Sequence, residues 1–187
     1  VSRGELEKIL LKEHAKIGTP EEIAKYIENY KKQGRRIVFT NGCFDLLHIG
    51  HTRYLQESKE QGNILIVGVN SDSSVRGLKG SGRPLNDEKH RAEVLAGLES
   101  VDHVFVFPEE DTVRYLGMFL PHVHVHGGDR VLDGSMIKPG ENKKPMNQEE
   151  RGFAEKNGIK IYFSNMYDSP STTETINKMR NSNGQKS

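Results

Sequence analysis

The sequence predicts an α/β fold: a doubly wound, mainly parallel five-stranded sheet with helices on both faces. Three observations carry this. The chain has 187 residues, a length that suits one decorated α/β domain. Its apolar residues gather into short runs of strand length. Capped or periodic helical segments alternate with those runs along the chain, the pattern of a parallel sheet.

Residues 3–15 read as a first helix with Leu6, Ile9 and Leu10 on one side. Thr19-Pro20-Glu21-Glu22 is a strong helix start. Thr19 caps, Pro20 suits the first helical position, and Glu22 completes a capping box. This helix runs to Lys32 and ends at Gly34. Arg36 to Thr40 is a buried strand. Ile49 to Gln61 has helical periodicity anchored by Leu55, and Gly62 stops it. Ile64 to Val69 is the second strand, and residues 87–99 form a crossover helix with Val94, Leu95 and Leu98. His103 to Phe107 is a strand, Asp111 to Phe119 a helix, and His122 to His126 a strand. Residues 128–147 are irregular. Asn147-Gln148-Glu149-Glu150 is a capping box whose helix ends at Gly158, and Ile159 to Phe163 is the last strand. Ser171-Thr172-Thr173-Glu174 is a third capping box, opening a helix through Met179. The expected organisation is an N-terminal helical extension over 1–34, one domain over 35–180, and a frayed polar tail over 181–187.

The bulk numbers exclude several classes. Net charge is +1, so no global field favours nucleic acid or a membrane surface. One cysteine, Cys43, forbids an intrachain disulfide and fits a reducing compartment. No apolar run approaches the roughly 20 residues of a membrane helix. Val1 to Lys16 carries both signs of charge and lacks a signal-peptide core. A soluble, cytoplasmic protein is expected.

In a doubly wound sheet, ligands sit at the carboxyl ends of strands near the switch in strand order. The loop Thr40-Asn41-Gly42-Cys43-Phe44-Asp45 occupies such a place. Gly42 lets the backbone approach a ligand closely. The loop amides, with those of the next helix, make a plausible anion cradle. Alone, Asn-Gly is ordinary turn chemistry. His48 and His51 follow at the helix entry, where a spacing of three puts both on one face and Gly50 leaves that face open. Two imidazole donors then point at one phosphoryl group. A helix N-terminus disfavours imidazolium, so the pair suits anion binding rather than proton abstraction. Metal binding by the pair lacks an evident third ligand, with Asp45 the nearest candidate, though a carboxylate there also serves to orient the loop or a histidine.

These residues carry a resemblance. Phe39 through His51, Phe-Thr-Asn-Gly-Cys-Phe-Asp-Leu-Leu-His-Ile-Gly-His, resembles the signature of the cytidylyltransferase-like nucleotidyltransferase superfamily. Ser171-Thr172-Thr173 with Arg180 resembles its second signature. Within it, Arg53-Tyr54-Leu55, Val69-Asn70-Ser71-Asp72, Leu78-Lys79-Gly80, Gly82-Arg83-Pro84, Leu98 to Asp102 and Gly127-Gly128-Asp129 look most like the heptose 1-phosphate adenylyltransferase branch. The glycerol-3-phosphate cytidylyltransferase branch shares the histidines but few of these stretches. The resemblance implies a Rossmann-like nucleotidyltransferase fold. It also implies a reaction of ATP with a sugar 1-phosphate, giving an ADP-sugar and pyrophosphate with magnesium. ADP-heptose of this kind feeds bacterial lipopolysaccharide assembly. Homo-oligomers, dimeric or larger, are usual in the family. The alternative is a cytidylyltransferase making a CDP-alcohol such as CDP-glycerol.

The expected catalytic residues are His48, His51 and Lys79, a mobile cation in the glycine-rich stretch Gly77 to Gly82. Nucleotide contacts are expected from Thr40, Asn41, Gly42, Cys43, Phe44, Asp45, Gly50, His126, Gly127 and Asp129, and from Ser171, Thr172, Thr173 and Arg180. Arg83 and Arg91 are weaker acceptor-binding candidates. No protein metal site is expected, magnesium being held by the triphosphate. One departure stands out. The family commonly has Asp-Val-X-Val-Lys-Gly-Gly-Asp, whereas this chain has His122-Val123-His124-Val125-His126-Gly127-Gly128-Asp129. The three histidines alternate onto one face of the strand. Same-face neighbours lie roughly 6.5–7 Å apart, too spread for three ligands on one ion. His126 is expected to face the nucleotide, with the others packed between sheet and helix. A nucleotide sensor without turnover and a metal-binding protein are the readings from other classes.

Overall fold

The computed structural model of the chain describes residues 16–127, 129–132 and 144–165. In chain order the elements are α1 (Pro20–Lys32), β1 (Ile37–Gly42), α2 (Ile49–Glu60), β2 (Ile64–Asn70), α3 (Asp72–Lys79) and α4 (Glu88–Ala96). Then come β3 (His103–Phe107), α5 (Val113–Phe119), β4 (Val123–His126), β5 (Arg130–Val131), β6 (Lys144–Pro145), α6 (Gln148–Lys156) and β7 (Lys160–Phe163). Five strands form one sheet in the order β3-β2-β1-β4-β7, with every pairing parallel. The doubly wound α/β class read from the sequence is therefore the observed one.

Strand alternation divides the core into two layers. Ile37, Phe39, Ile64, Ile66, Phe105 and Phe107 face α1, α5 and α6. Val38, Leu65, Val67, Val69, Val104 and Val125 face Leu55 of α2 and Ala92 and Leu95 of α4. Every one of these strand residues is 0–3% exposed, as a sheet covered on both faces requires. Chain order reverses between β1 and β4, so the carboxyl ends of those two strands flank the switch point.

Helix α1 shows how local sequence fixes this packing. The Thr19 side chain accepts the Glu22 amide, and Glu22 accepts the Thr19 amide in return. Ile23 and Ile27, four apart, then lie on one face and bury against the sheet. The helix assigned to an N-terminal extension thus packs into the main core layer.

The structure differs from the sequence reading in three places. The stretch after β2 is helix α3, capped by Ser71. Lys79 is its last residue rather than part of a loop, and Gly80 ends it at φ 95°. This eight-residue helix has Gly77 inside it and Gly80 at its end, which read as a glycine-rich loop. Residues 130–131 and 144–145 form a short parallel pair within the stretch expected to be irregular. Asn147 caps α6, but Glu150 does not return to the cap. Its carboxylate accepts the Thr112 amide and hydroxyl instead, at 2.8 and 2.7 Å. The helices expected over 3–15 and 171–179 lie outside the described residues. Among those described, no helix is long and apolar enough to cross a membrane.

Candidate active site

The loop from β1 to α2 lies at the switch point and is held from beneath. Thr40 is fully buried, and its hydroxyl donates to the Val125 carbonyl at 2.9 Å while touching the Tyr54 hydroxyl. It welds β1 to β4 and α2, so its side chain is not available to a nucleotide. Gly42 has a different role from the one expected. A Cβ there would meet the Phe44 ring at 3.0 Å, so the close approach is made by the protein itself. Phe44 sits at φ 47° with its ring 5% exposed. That ring meets His51 edge-on at 5.4 Å instead of opening toward a base.

Asp45 is the keystone of the loop. One carboxylate oxygen accepts Arg83 Nε at 2.6 Å, and the other accepts the Leu85 and Asn86 amides at 2.7 and 3.0 Å. Burial pushes its carboxyl pKa up, but the Asn86 amide, Arg83 and the Leu85 amide together hold it below the usual carboxylate range. Both oxygens are engaged, so Asp45 positions the loop. Arg91 is likewise internal, at 2% exposed. Its Nη1, Nη2 and Nε donate to the Cys43 carbonyl, Asp72 and the Asn86 carbonyl at 2.6, 2.8 and 3.0 Å. With these nitrogens committed, Arg91 is a brace between three segments, which corrects its assignment as an acceptor contact. Arg83 differs: its Nη2 is buried without a hydrogen-bond partner.

His48 and His51 are brought together as expected. Their ring centroids lie 3.9 Å apart, tilted by 35°. His48 is the N-cap of α2 and makes no side-chain cap, and the first turn holds no acidic residue. The positive end of the helix is therefore left uncompensated, a setting for an anion. Burial lowers both imidazoles below their ordinary pKa. His51 falls to about 4, through burial first and then the neighbouring His48 and Lys79 charges, with the Leu46 backbone opposing. Both are neutral at pH 7, each with one N–H to donate. Lys79 is exposed, and its charge acts on both His51 and Cys43, which places the α3 terminus beside the loop. Burial raises the Cys43 thiol pKa, against nucleophilic use.

On the other side of the switch point, Gly127 and Asp129 follow β4. A Cβ on Gly127 would meet the Asp129 carboxylate at 2.7 Å. His126 is not where it was expected. It projects to the α5–α6 face, its ring 4.2 Å from His124 and 5.7 Å from Phe163. Alternation alone dictates this, because Val125 points to the α2 face with Thr40. The strand histidines also lie closer than backbone spacing suggests, since rings on same-face neighbours lean together. Ser171, Thr172, Thr173, Arg180 and Gly128 lie outside the described residues. The sequence reading missed the roles of the half-buried Tyr54 and the buried Glu57 of α2. Glu57 accepts the Tyr162 hydroxyl at 2.8 Å and the Asn165 side-chain amide at 3.0 Å, joining α2 to the end of β7. A carboxylate on the inner face of an otherwise amphipathic helix was the available signal.

Comparison with known proteins decides the family. The cytidylyltransferase-like family model matches residues 39–177. The chain belongs to the cytidylyltransferase-like family. It is 41% identical over 171 residues to the bifunctional protein HldE of Geobacter metallireducens, covering 91% of this chain and 32% of that protein. It is 51% identical over 113 residues to the bifunctional protein HldE of Aliarcobacter butzleri, covering 60% of this chain and 24% of that one. The chain thus spans a third or less of these relatives. Among solved structures, the lipopolysaccharide core biosynthesis protein of Thermoplasma volcanium superposes with a TM-score of 0.54 at 30% identity, over 72% of this chain and all of that one. Pantoate-beta-alanine ligase of Francisella tularensis matches with a TM-score of 0.55 at 14% identity, over 82% of this chain and 68% of that one, a likeness of fold. Family membership makes this chain a nucleotidyltransferase.

Proposed function

We propose that the chain transfers AMP from ATP to a sugar 1-phosphate, a heptose 1-phosphate above all, releasing pyrophosphate and an ADP-sugar. The observation that carries this is the neutral His48–His51 pair, packed ring against ring at the uncapped N-terminus of α2 on the switch point, with Lys79 alongside. Motif resemblance to the heptose branch supports the acceptor, as does similarity to proteins named HldE and to one titled for lipopolysaccharide core biosynthesis.

The acceptor arrives with a nucleophilic phosphate oxygen, so no strong base is required. That oxygen forms a bond to the α-phosphorus of ATP while the bond to the β-phosphate bridge breaks, and the electron pair leaves on pyrophosphate. The barrier lies in bringing two anions together and stabilising charge as it develops. His48 and His51 donate N–H groups to the α-phosphoryl and bridging oxygens. The first amides of α2 add their dipoles. Lys79, exposed at the end of a helix, swings between phosphates of the two substrates. Asn41, Cys43 and Gly50 offer backbone, and Gly127 and Asp129 flank the ribose and base. Arg83, paired with Asp45 through Nε, is the weaker candidate for the acceptor phosphate. Ser171, Thr172, Thr173 and Arg180 are assigned to the β- and γ-phosphates. Magnesium enters with the triphosphate as part of the substrate. Asp45, the loop's buried carboxylate, already spends both oxygens on Arg83, Leu85 and Asn86, so it makes no cage for the ion.

The test is a pyrophosphate-release assay with each of the four ribonucleoside triphosphates against a panel of sugar 1-phosphates and glycerol 3-phosphate. Release with ATP and a heptose 1-phosphate is the expected result. Release with CTP and glycerol 3-phosphate would replace this reading, and silence with every pair would remove it.

A further inference from the structure

On the sheet face opposite α2, two histidines and a glutamate converge. His124 stacks on Phe39 at 5.3 Å within the layer covered by α1, α5 and α6. His126 leans toward it from the next same-face position. Glu150 reaches in from the first turn of α6, 7% exposed. One potential ligand atom from each of the three lies within 4.8 Å of the others. From this geometry we infer that His124, His126 and Glu150 bind one divalent cation of the zinc class, clasping β4 to α6.

Several observations point the same way. Both ring nitrogens of His124 and Nε2 of His126 are buried with no hydrogen-bond partner. A neutral imidazole carries one donor and one lone pair, and burying such groups unmatched is destabilising. A cation takes up one lone pair from each ring. Glu150 is held as a metal carboxylate is held: the Thr112 amide and hydroxyl fix its Oε1 and leave the group aimed at the histidines. That arrangement is why Glu150 abandons the capping box at Asn147. A tetrahedral ion with bonds of about 2.0–2.1 Å needs ligand atoms about 3.4 Å apart, so binding draws the three side chains together from their spacing of up to 4.8 Å. Two imidazoles and one carboxylate favour Zn²⁺, Co²⁺ or Ni²⁺ over magnesium or calcium, with water in the fourth position. Arg130 and Asp111 are the neighbouring charges of opposite sign. His122 is not a ligand, because its Nδ1 accepts the Ile37 amide at 2.9 Å. The ion would join the last residue of β4 to the first turn of α6, and so pin the base of the Gly127–Asp129 loop. It would lie across the sheet from His48 and His51.

The test uses the full chain without a histidine tag, stripped by chelator and titrated with Co²⁺. The expected result is one equivalent bound, with visible d–d absorption of a low-coordinate site, displaced by Zn²⁺ and accompanied by a higher Tm. Glu150→Gln keeps an acceptor for Thr112 but weakens binding by about tenfold or more. His124→Gln with His126→Gln abolishes it, and His48→Ala with His51→Ala leaves it unchanged. Absence of a stoichiometric Co²⁺ complex at 100-fold excess overturns the site. So does a complex that survives Glu150→Gln intact but disappears with His48 and His51.

Discussion

At the scale of single residues, the site divides into groups proposed to meet phosphate and groups that hold the loop. Asp45 belongs to the second kind. Removing it strands the Arg83 guanidinium, whose side chain is 11% exposed, and frees two amides. Asp45→Ala should cost about 3 kcal/mol in urea unfolding, the scale of a broken buried ion pair; a loss below 1 kcal/mol would show the clamp to be slack. His51 belongs to the first kind, and its titration gives it a signature. Its folded pKa is about 4 against an ordinary 6.5, so between these values the unfolded chain binds the extra proton. The stability His51 contributes is present above pH 6.5 and is lost as pH falls toward 4. In a Tm series from pH 7 to 4.5, His51→Asn should therefore decline less steeply than the parent chain. An unchanged slope would mean that His51 is not buried as described. The meeting of His48 and His51 was legible from type and spacing, whereas Lys79 was read in a loop and ends α3. Asp45 as a loop-orienting carboxylate was legible too, whereas the commitments of Thr40, Phe44 and Arg91 were not, because each depends on a partner 14 to 85 residues away or on a ring's direction.

At the scale of elements, local signals worked where one element satisfied its own backbone. The Thr19 box opens α1 at the expected residue, and Thr19→Ala should cost about 1 kcal/mol by chemical denaturation with turnover unchanged, since α1 lies away from the loop. A loss of turnover matching the loss of stability would tie α1 to the site. The Asn147 box failed for a tertiary reason: Glu150 has a better use on Thr112, 38 residues earlier in the chain. Helix α3 escaped notice because it is only eight residues long and its Gly77 and terminal Gly80 read as a glycine-rich loop. The face of His126 could have been read. Strand alternation puts it opposite Val125, and only the pull of the family motif suggested otherwise.

At the scale of the whole molecule, composition and alternation were enough for the class. The strand order was not written in them, since any parallel arrangement satisfies the same hydrophobic pattern. It is the order β3-β2-β1-β4-β7 that gives the histidine loop its meaning, by setting it at the reversal beside the end of β4. The sheet also separates two chemistries. The α2 face carries the His48–His51 pair, and the opposite face carries the buried His124–His126–Glu150 cluster. The central claim is that His48 and His51 stabilise charge during nucleotidyl transfer rather than merely bind nucleotide. Its most direct measurement is the kcat of His48→Ala at saturating ATP and acceptor, alongside the ATP Kd of the same variant. A fall in kcat of about 10²–10³-fold, with Kd within several-fold of the parent, is the predicted result. Undiminished turnover, or a variant whose whole defect is lost ATP affinity, would contradict it.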